Sequence, residues 1–270
     1  MKNIAINIFL TLASLLLIIG GMEIGARIYK GQYGFKNFLK ARKNLFRSAY
    51  VSQFDRELGW VPKKGRHPKN IWKTRVTILD DGIRSNGEDT EKRSEDNVIL
   101  AVGDSFTFGD QVSDNETWPA FLEKMSGRRV INGGVTGYGA DQVFLRMKLL
   151  AGKFDPDIII FGLIAKDIRR CEFSEFAGVK KPFFKLSKDR QLLLTTNHVS
   201  YFPSRPLSVS RRILGYSFII HKLMVRTFPR YWLQGLYKNT IAHLNGEEVV
   251  CGIFNKLKDF ARDNKIDIYV

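Results

Sequence analysis

Two uninterrupted apolar runs, residues 98–102 (VILAV) and 158–163 (IIIFGL), constrain this chain more than any other feature. Runs this short and apolar, bounded by turn residues, read as strands buried on both faces, the pattern of a parallel sheet. Helical spacing lies between them. Residues 117–125 place Trp118, Phe121, Leu122 and Met125 on one stripe, expected as a core face, and Gly127 closes that helix. Residues 129–132 are the second strand and 141–150 the second helix, with Asp141 near its start. A helix within 239–263 leads into a fourth strand at 266–270. Strands alternating with helices of this length predict an α/β fold, a parallel sheet covered on both faces. Right-handed crossovers then put the strand carboxyl ends along one edge.

At that edge the first run delivers Gly103-Asp104-Ser105-Phe106-Thr107-Phe108-Gly109. The glycines permit tight or positive-φ backbone, and Asp104 and Ser105 can satisfy amides where a helix begins. Taken alone, the stretch is either a strand-to-helix turn with a capping serine or the seat of a serine nucleophile. The second run-out is Asn132-Gly133-Gly134-Val135-Thr136-Gly137-Tyr138-Gly139-Ala140-Asp141-Gln142. Together the two stretches resemble the first two sequence blocks of the SGNH/GDSL hydrolases, a family of serine esterases, lipases and carbohydrate acetyl-ester enzymes. The resemblance implies a three-layer α/β/α, flavodoxin-like domain in which Ser105 is the nucleophile. It further implies that the backbone amides of Ser105 and Gly137 form part of an oxyanion hole. Two shorter pieces, 55–62 and 78–85, resemble signatures that often precede the serine block in membrane-anchored members. Both read as extended segments ended by glycine turns that pack beside the sheet, with no chemistry of their own.

The family's third block carries an Asn-Asp pair, and the aligned residues here are Lys166-Asp167. A lysine offers a charged, flexible donor in place of a planar amide. It could stabilise an oxyanion, or point to solvent while Asp167 pairs with Arg169 or Arg170. The family's late Asp-x-x-His base has no counterpart: His67, His198, His221 and His243 all lack an Asp three residues before them. A serine without a base is a weak nucleophile. The simplest account is a chain that stops short of the family's last block.

Residues 4–22 form an apolar stretch broken only by Asn7, Thr11 and Ser14, long enough for a bilayer core that needs about 20 residues. Because apolar spacing continues through Ile24, Ala26 and Ile28, an uncleaved anchor running on past the membrane is expected rather than a cleaved signal. Lys and Arg crowd the far side of this segment, which by the positive-inside rule would hold the globular part in the cytoplasm. The resemblance implies the opposite placement, outside the bacterial inner membrane, on the periplasmic side. The net charge of +16 favours an anionic contact such as lipid headgroups or an acidic glycan. Nucleic acid is not expected, since no binding motif is present and the basic residues are spread along the chain. Cys171 and Cys251 form no metal-type cluster, and either pair or remain two thiols. No metal or cofactor is expected.

The chain thus divides into an anchor (1–26), a basic extended linker (27–96) and an SGNH-like domain (97–270) holding an insertion at about 171–236. Within the insertion, 181–186 and 191–194 flank a turn and read as a β-hairpin. Residues 208–236 mix bulky apolar and basic residues at helical spacing, expected as a lid packed on the domain, with a partner or a membrane surface as alternatives. The implied function is ester hydrolysis or acyl transfer on a cell-envelope glycan or lipid through acyl-Ser105. The alternative is an inactive SGNH-like glycan-binding or scaffold protein.

Overall fold

The computed structural model describes residues 2–34, 37–39, 51–68, 73–87, 97–196, 199–201, 207–233, 239–241 and 243–270. The chain divides into two compact units, one of Met1–Arg42 with Ser204–Tyr237, the other of Lys43–Pro203 with Lys238–Val270. In chain order the first element is α1 (Lys2–Tyr29), rich in Leu, Ile and Ala. At 1.5 Å per residue it runs to about 42 Å, longer than the ~30 Å hydrocarbon core of a bilayer. Its apolar side chains are exposed along its length, Leu17 at 78 %. Among the described residues it is the one helix long and apolar enough to cross a membrane.

The second unit opens with a hairpin of β1 (Ser52–Asp55) and β2 (Gly59–Pro62). Asp55 shapes its turn by accepting from the amides of Glu57 and Leu58, and Gly59 takes φ +85°. A short pair follows, β3 (Gly65–Arg66) with β4 (Thr77–Ile78). Then come β5 (Ile99–Val102), α2 (Ser105–Phe108), α3 (Trp118–Ser126), β6 (Val130–Asn132), α4 (Ala140–Phe154), β7 (Ile158–Phe161) and α5 (Ala165–Arg170). The insertion contributes β8 (Phe173–Phe176), β9 (Val179–Lys180), β10 (Phe183–Leu186), β11 (Leu192–Thr195), β12 (Ser200–Tyr201), α6 (Val209–Leu214), α7 (Phe218–Thr227) and α8 (Pro229–Leu233). The expected hairpin is β10–β11, with Leu186 opposite Leu192. Last are β13 (Asn239–Thr240), α9 (Gly246–Asn264) and β14 (Asp267–Tyr269). The helix expected within 239–263 therefore starts later, at the Asn245 cap, whose side chain accepts from the Glu247 amide.

The main sheet has the order β14-β7-β5-β6, every pair parallel. Its strands alternate between two clusters. Leu100 and Val102 of β5 join a cluster with Val143 and Met147 of α4 and Val249 and Ile253 of α9. Ile99 and Ala101 belong to another with Val130 and Leu122 of α3. Each large apolar side chain so buried contributes about 1.5–3 kcal/mol. In sequence the sheet grows outward from β5 to β6, then resumes on the other side at β7. The carboxyl ends of the strands flanking such a reversal, here β5 and β7, are where open α/β sheets bind ligands.

Three expectations are corrected. The α3 stripe meets the core only at Leu122: Met125 is 84 % and Phe121 54 % exposed, while Ala120 and Glu123 point inward. Glu123 is held there because its carboxylate accepts from the Val130 amide (2.9 Å) and Asn86 Nδ2 (3.1 Å), which sets the rotation of the helix. The stretch taken as a linker is part of the α/β unit from Val51 to Gly87: Trp60, Val76, Ile78 and Arg84 are buried, and Arg84 bridges antiparallel to Asn132 on the open side of β6. Residues 88–96, the charged part of that stretch, lie outside the described residues. The helical part of the insertion, expected to belong to the SGNH-like domain, groups instead with the N-terminal 42 residues, at 204–237. Cys171 is buried, Cys251 exposed, and both are free thiols.

Candidate active site

The serine turn forms because β5 ends against glycine. Asp104, the cap of α2, accepts from the Phe106 amide at 2.9 Å, and Gly109 at φ +80° ends the helix after one turn. Ser105 is thereby half-buried in the first turn, its Oγ donating to Asp104 Oδ2 at 3.3 Å. The loop after β6 runs against this turn: a Cβ on Gly134 would lie 2.3 Å from the Phe108 nitrogen, so only glycine fits. Gly137 takes φ +84° in the same loop. Thr136 Oγ1 donates to Asp110, fastening that loop to the residues after α2. Burial pushes the Asp110 carboxyl up to about 6, against the pull of the Thr136 hydrogen bond and Arg84.

The third strand end adds α5. Lys166 is exposed on its first turn, while Asp167 is fully buried, its Oδ2 accepting from the Ile164 amide at 3.0 Å. Of the two arginine partners weighed for Asp167, it takes Arg170 (2.6 Å). The same nitrogen of Arg170 reaches Asp104 Oδ2 at 2.9 Å and the Tyr138 carbonyl at 2.9 Å. One guanidinium therefore joins the loops at the ends of β5, β6 and β7. Burial, then the nearby Asp104 carboxylate, push Asp167 up to about 7, opposed by the Ile164 amide and Arg170.

That shift has a consequence for stability. An aspartate ionises near 3.9 when unfolded, so the folded chain holds an extra proton between about pH 4 and 7. The stability this contributes is complete below that window and lost as the pH rises through about 7. Asp110 adds a like effect ending near 6, so the upper part of the window belongs to Asp167. Thermal unfolding in detergent should thus show a midpoint that falls between about pH 6 and 8 in the wild type and stays flatter in Asp167→Asn. An unchanged slope in the variant would contradict the assignment.

A second arginine, unassigned from the sequence, supports the turn from below. Arg84 has a fully buried side chain that donates to the carbonyls of Phe108 (2.7 Å), Gly109, Val112 (2.6 Å) and Arg75 (3.3 Å), and to Asp114 (3.3 Å). Burial pulls its pKa down and Asp114 opposes this. The other early signature braces the β6 loop: Trp60 Nε1 donates to the Thr136 carbonyl at 2.9 Å, and the Tyr138 hydroxyl donates to the Trp60 carbonyl. The only sequence signal for these roles was the short-signature resemblance.

Among the described residues no histidine is bonded to Ser105. His67 Nε2 meets the Lys63 carbonyl at 2.7 Å, His243 is exposed, and His221 is buried in the other unit, its Nδ1 accepting from Trp232. His198 lies outside the described residues. The arrangement thus offers a half-buried hydroxyl at a helix start, with a carboxylate as acceptor and a glycine loop packed on the later part of the same turn, at Phe108 and Asp110.

No family model matches the chain, and no curated protein does. Among solved structures it is similar to AlinE4, a SGNH-hydrolase family esterase, and to two single-residue mutants of that esterase. Each match has 20 % identity and a TM-score of 0.28, covering 66 % of this chain and 77 % of the other.

Proposed function

We propose that the α/β unit is a three-layer, flavodoxin-like SGNH-type domain that cleaves or transfers ester-linked acyl groups through Ser105. The observation that carries this reading is the placement of Ser105 at the carboxyl end of β5, beside the sheet's reversal point, with its Oγ directed to Asp104. In the proposed reaction Ser105 Oγ attacks an ester carbonyl and the alcohol leaves, giving an acyl-serine. The amides of Ser105 and Gly137 stabilise the oxyanion, and Lys166, at the family's Asn position, supplies a further cation at the rim. Water then releases the acyl group, or an acceptor hydroxyl takes it. The substrate class is an ester-bearing glycan or lipid of the cell envelope, reached by a chain anchored through α1 with its α/β unit on the periplasmic side.

A second reading is favoured by one observation. Asp104, which accepts from the Ser105 hydroxyl, is already engaged by Arg170 and the Phe106 amide, and among the described residues no histidine is bonded to Ser105. On that reading the crevice binds an acidic glycan without cleaving it. Hydrolysis of a short acyl ester such as p-nitrophenyl acetate separates the two: turnover that depends on Ser105 supports the enzyme, and turnover equal in wild type and Ser105→Ala supports the binder.

A further inference from the structure

We propose that α6, α7 and α8 form a basic platform, clamped to the end of α1, that lies in the headgroup layer of an anionic bilayer. This is independent of the chemistry at Ser105. The clamp is a set of partly buried polar contacts within one unit. Glu23 of α1 accepts from Ser217 Oγ (2.8 Å) and the amides of Phe218 (2.5 Å) and Ile219 (3.1 Å), placing an anion at the positive end of α7. Arg27 donates at 2.6 Å to the Glu23 oxygen that also accepts from Phe218, and donates to the carbonyls of Tyr216 and Gly34. Asn37 Nδ2 donates to the Arg212 carbonyl at 2.7 Å, and Phe38 stacks on His221 with ring centres 4.8 Å apart. Trp232 Nε1 closes the set by donating to His221 at 2.9 Å. The three short helices are thereby tied to α1 rather than to one another alone.

The outer surface of these helices is unusual for a face in water. Residues 207–233 hold Arg211, Arg212, Lys222, Arg226 and Arg230 and no Asp or Glu. Arg211 is spent internally, its NH2 donating to the Trp232 carbonyl, and the other four cations are exposed. Beside them Val209 (68 %), Ile213 (66 %), Leu223 (56 %) and Phe228 (62 %) stand in the open. Bulky apolar groups interleaved with cations and lacking any anion suit the boundary between acyl chains and anionic headgroups. Long basic stems reach headgroups while apolar neighbours enter the chain region. The position along α1 agrees: Glu23, which caps α7, is the first charged residue after the uncharged stretch 4–22, so a bilayer surrounding that stretch has its edge where the platform begins. The occupant is therefore the lipid leaflet that α1 enters.

The test places nitroxide labels on the full chain, in a Cys251→Ser background that leaves only the buried Cys171, reconstituted into vesicles of phosphatidylcholine and phosphatidylglycerol. Single substitutions Ile213→Cys, Leu223→Cys and Phe228→Cys carry the labels, with Leu12→Cys marking the spanning part of α1. Relative accessibility to oxygen and to a nickel chelate gives depth. The platform labels are expected about 5–10 Å below the headgroups, shallower than the Leu12 label. In the quadruple variant R212Q/K222Q/R226Q/R230Q, or in phosphatidylcholine alone, they are expected to move outward to the aqueous phase. Platform labels that read aqueous in anionic vesicles would overturn the proposal. So would labels shielded from both reagents, which would mean a protein surface covers them, an aqueous Leu12 label, or a depth indifferent to lipid charge and to the quadruple variant.

Discussion

Ser105→Ala will lower turnover of a short acyl ester by about three to six orders of magnitude, the range between losing one stabilising group and losing a whole nucleophilic unit. The fold should survive. Ser105 is half-buried, its side chain's bond to Asp104 is 3.3 Å long, its carbonyl keeps the amides of Gly109 and Asp110, and the cap of α2 is made by Asp104, which the substitution leaves in place. The comparison is of kcat and KM in detergent, with circular dichroism and the melting midpoint as controls on structure. Matching melts with lost turnover locate the effect in the chemistry. Retained turnover removes Ser105 from the mechanism.

Arg84→Met carries the largest expected effect on stability. The fully buried guanidinium serves four carbonyls and one carboxylate; of these the Gly109 carbonyl also accepts from the Val112 amide at 3.3 Å. Removing it leaves Asp114, itself 2 % exposed, as a buried charge without this partner. Breaking a buried ion pair from one side costs about 3–5 kcal/mol, and each orphaned buried carbonyl adds about 1–3. Set against a margin of roughly 5–15 kcal/mol for an ordinary domain, this should leave the α/β unit largely unfolded at 37 °C. Arg84→Lys keeps the charge but cannot span the fork of acceptors, so an intermediate melt is expected. A methionine variant that melts within a few degrees of the wild type would show that the turn after Ser105 does not depend on Arg84.

Much of the sheet was legible because strands and helices announce themselves locally. The runs at 98–102 and 158–163 gave β5 and β7 almost to the residue, Gly127 closed α3, and 266–270 held β14. The serine turn was legible for the same reason, since cap, helix and closing glycine lie within seven residues, Gly103 to Gly109. What was not legible is tertiary. The phase of α3 follows from Glu123 meeting the Val130 amide across the turn to β6, and period alone cannot report it. The roles of Trp60 and Arg84 rest on hydrogen bonds to partners 76 and 24 residues on. Arg170 was seen only as a neighbour of Asp167; its contact with Asp104 spans 66 residues. The pairing of Glu23 with the start of α7 spans more than 190, so no local pattern marks the insertion helices as belonging with the N-terminal helix.

The most direct test of the central claim is to react the full chain in detergent with a fluorophosphonate ester and locate the adduct by peptide mass spectrometry. The expected result is one adduct, on the peptide carrying Ser105, absent from Ser105→Ala and absent after unfolding the protein first. A chain that stays unlabelled while folded, or one labelled equally in Ser105→Ala, would contradict a nucleophilic Ser105 and leave the crevice as a binding site.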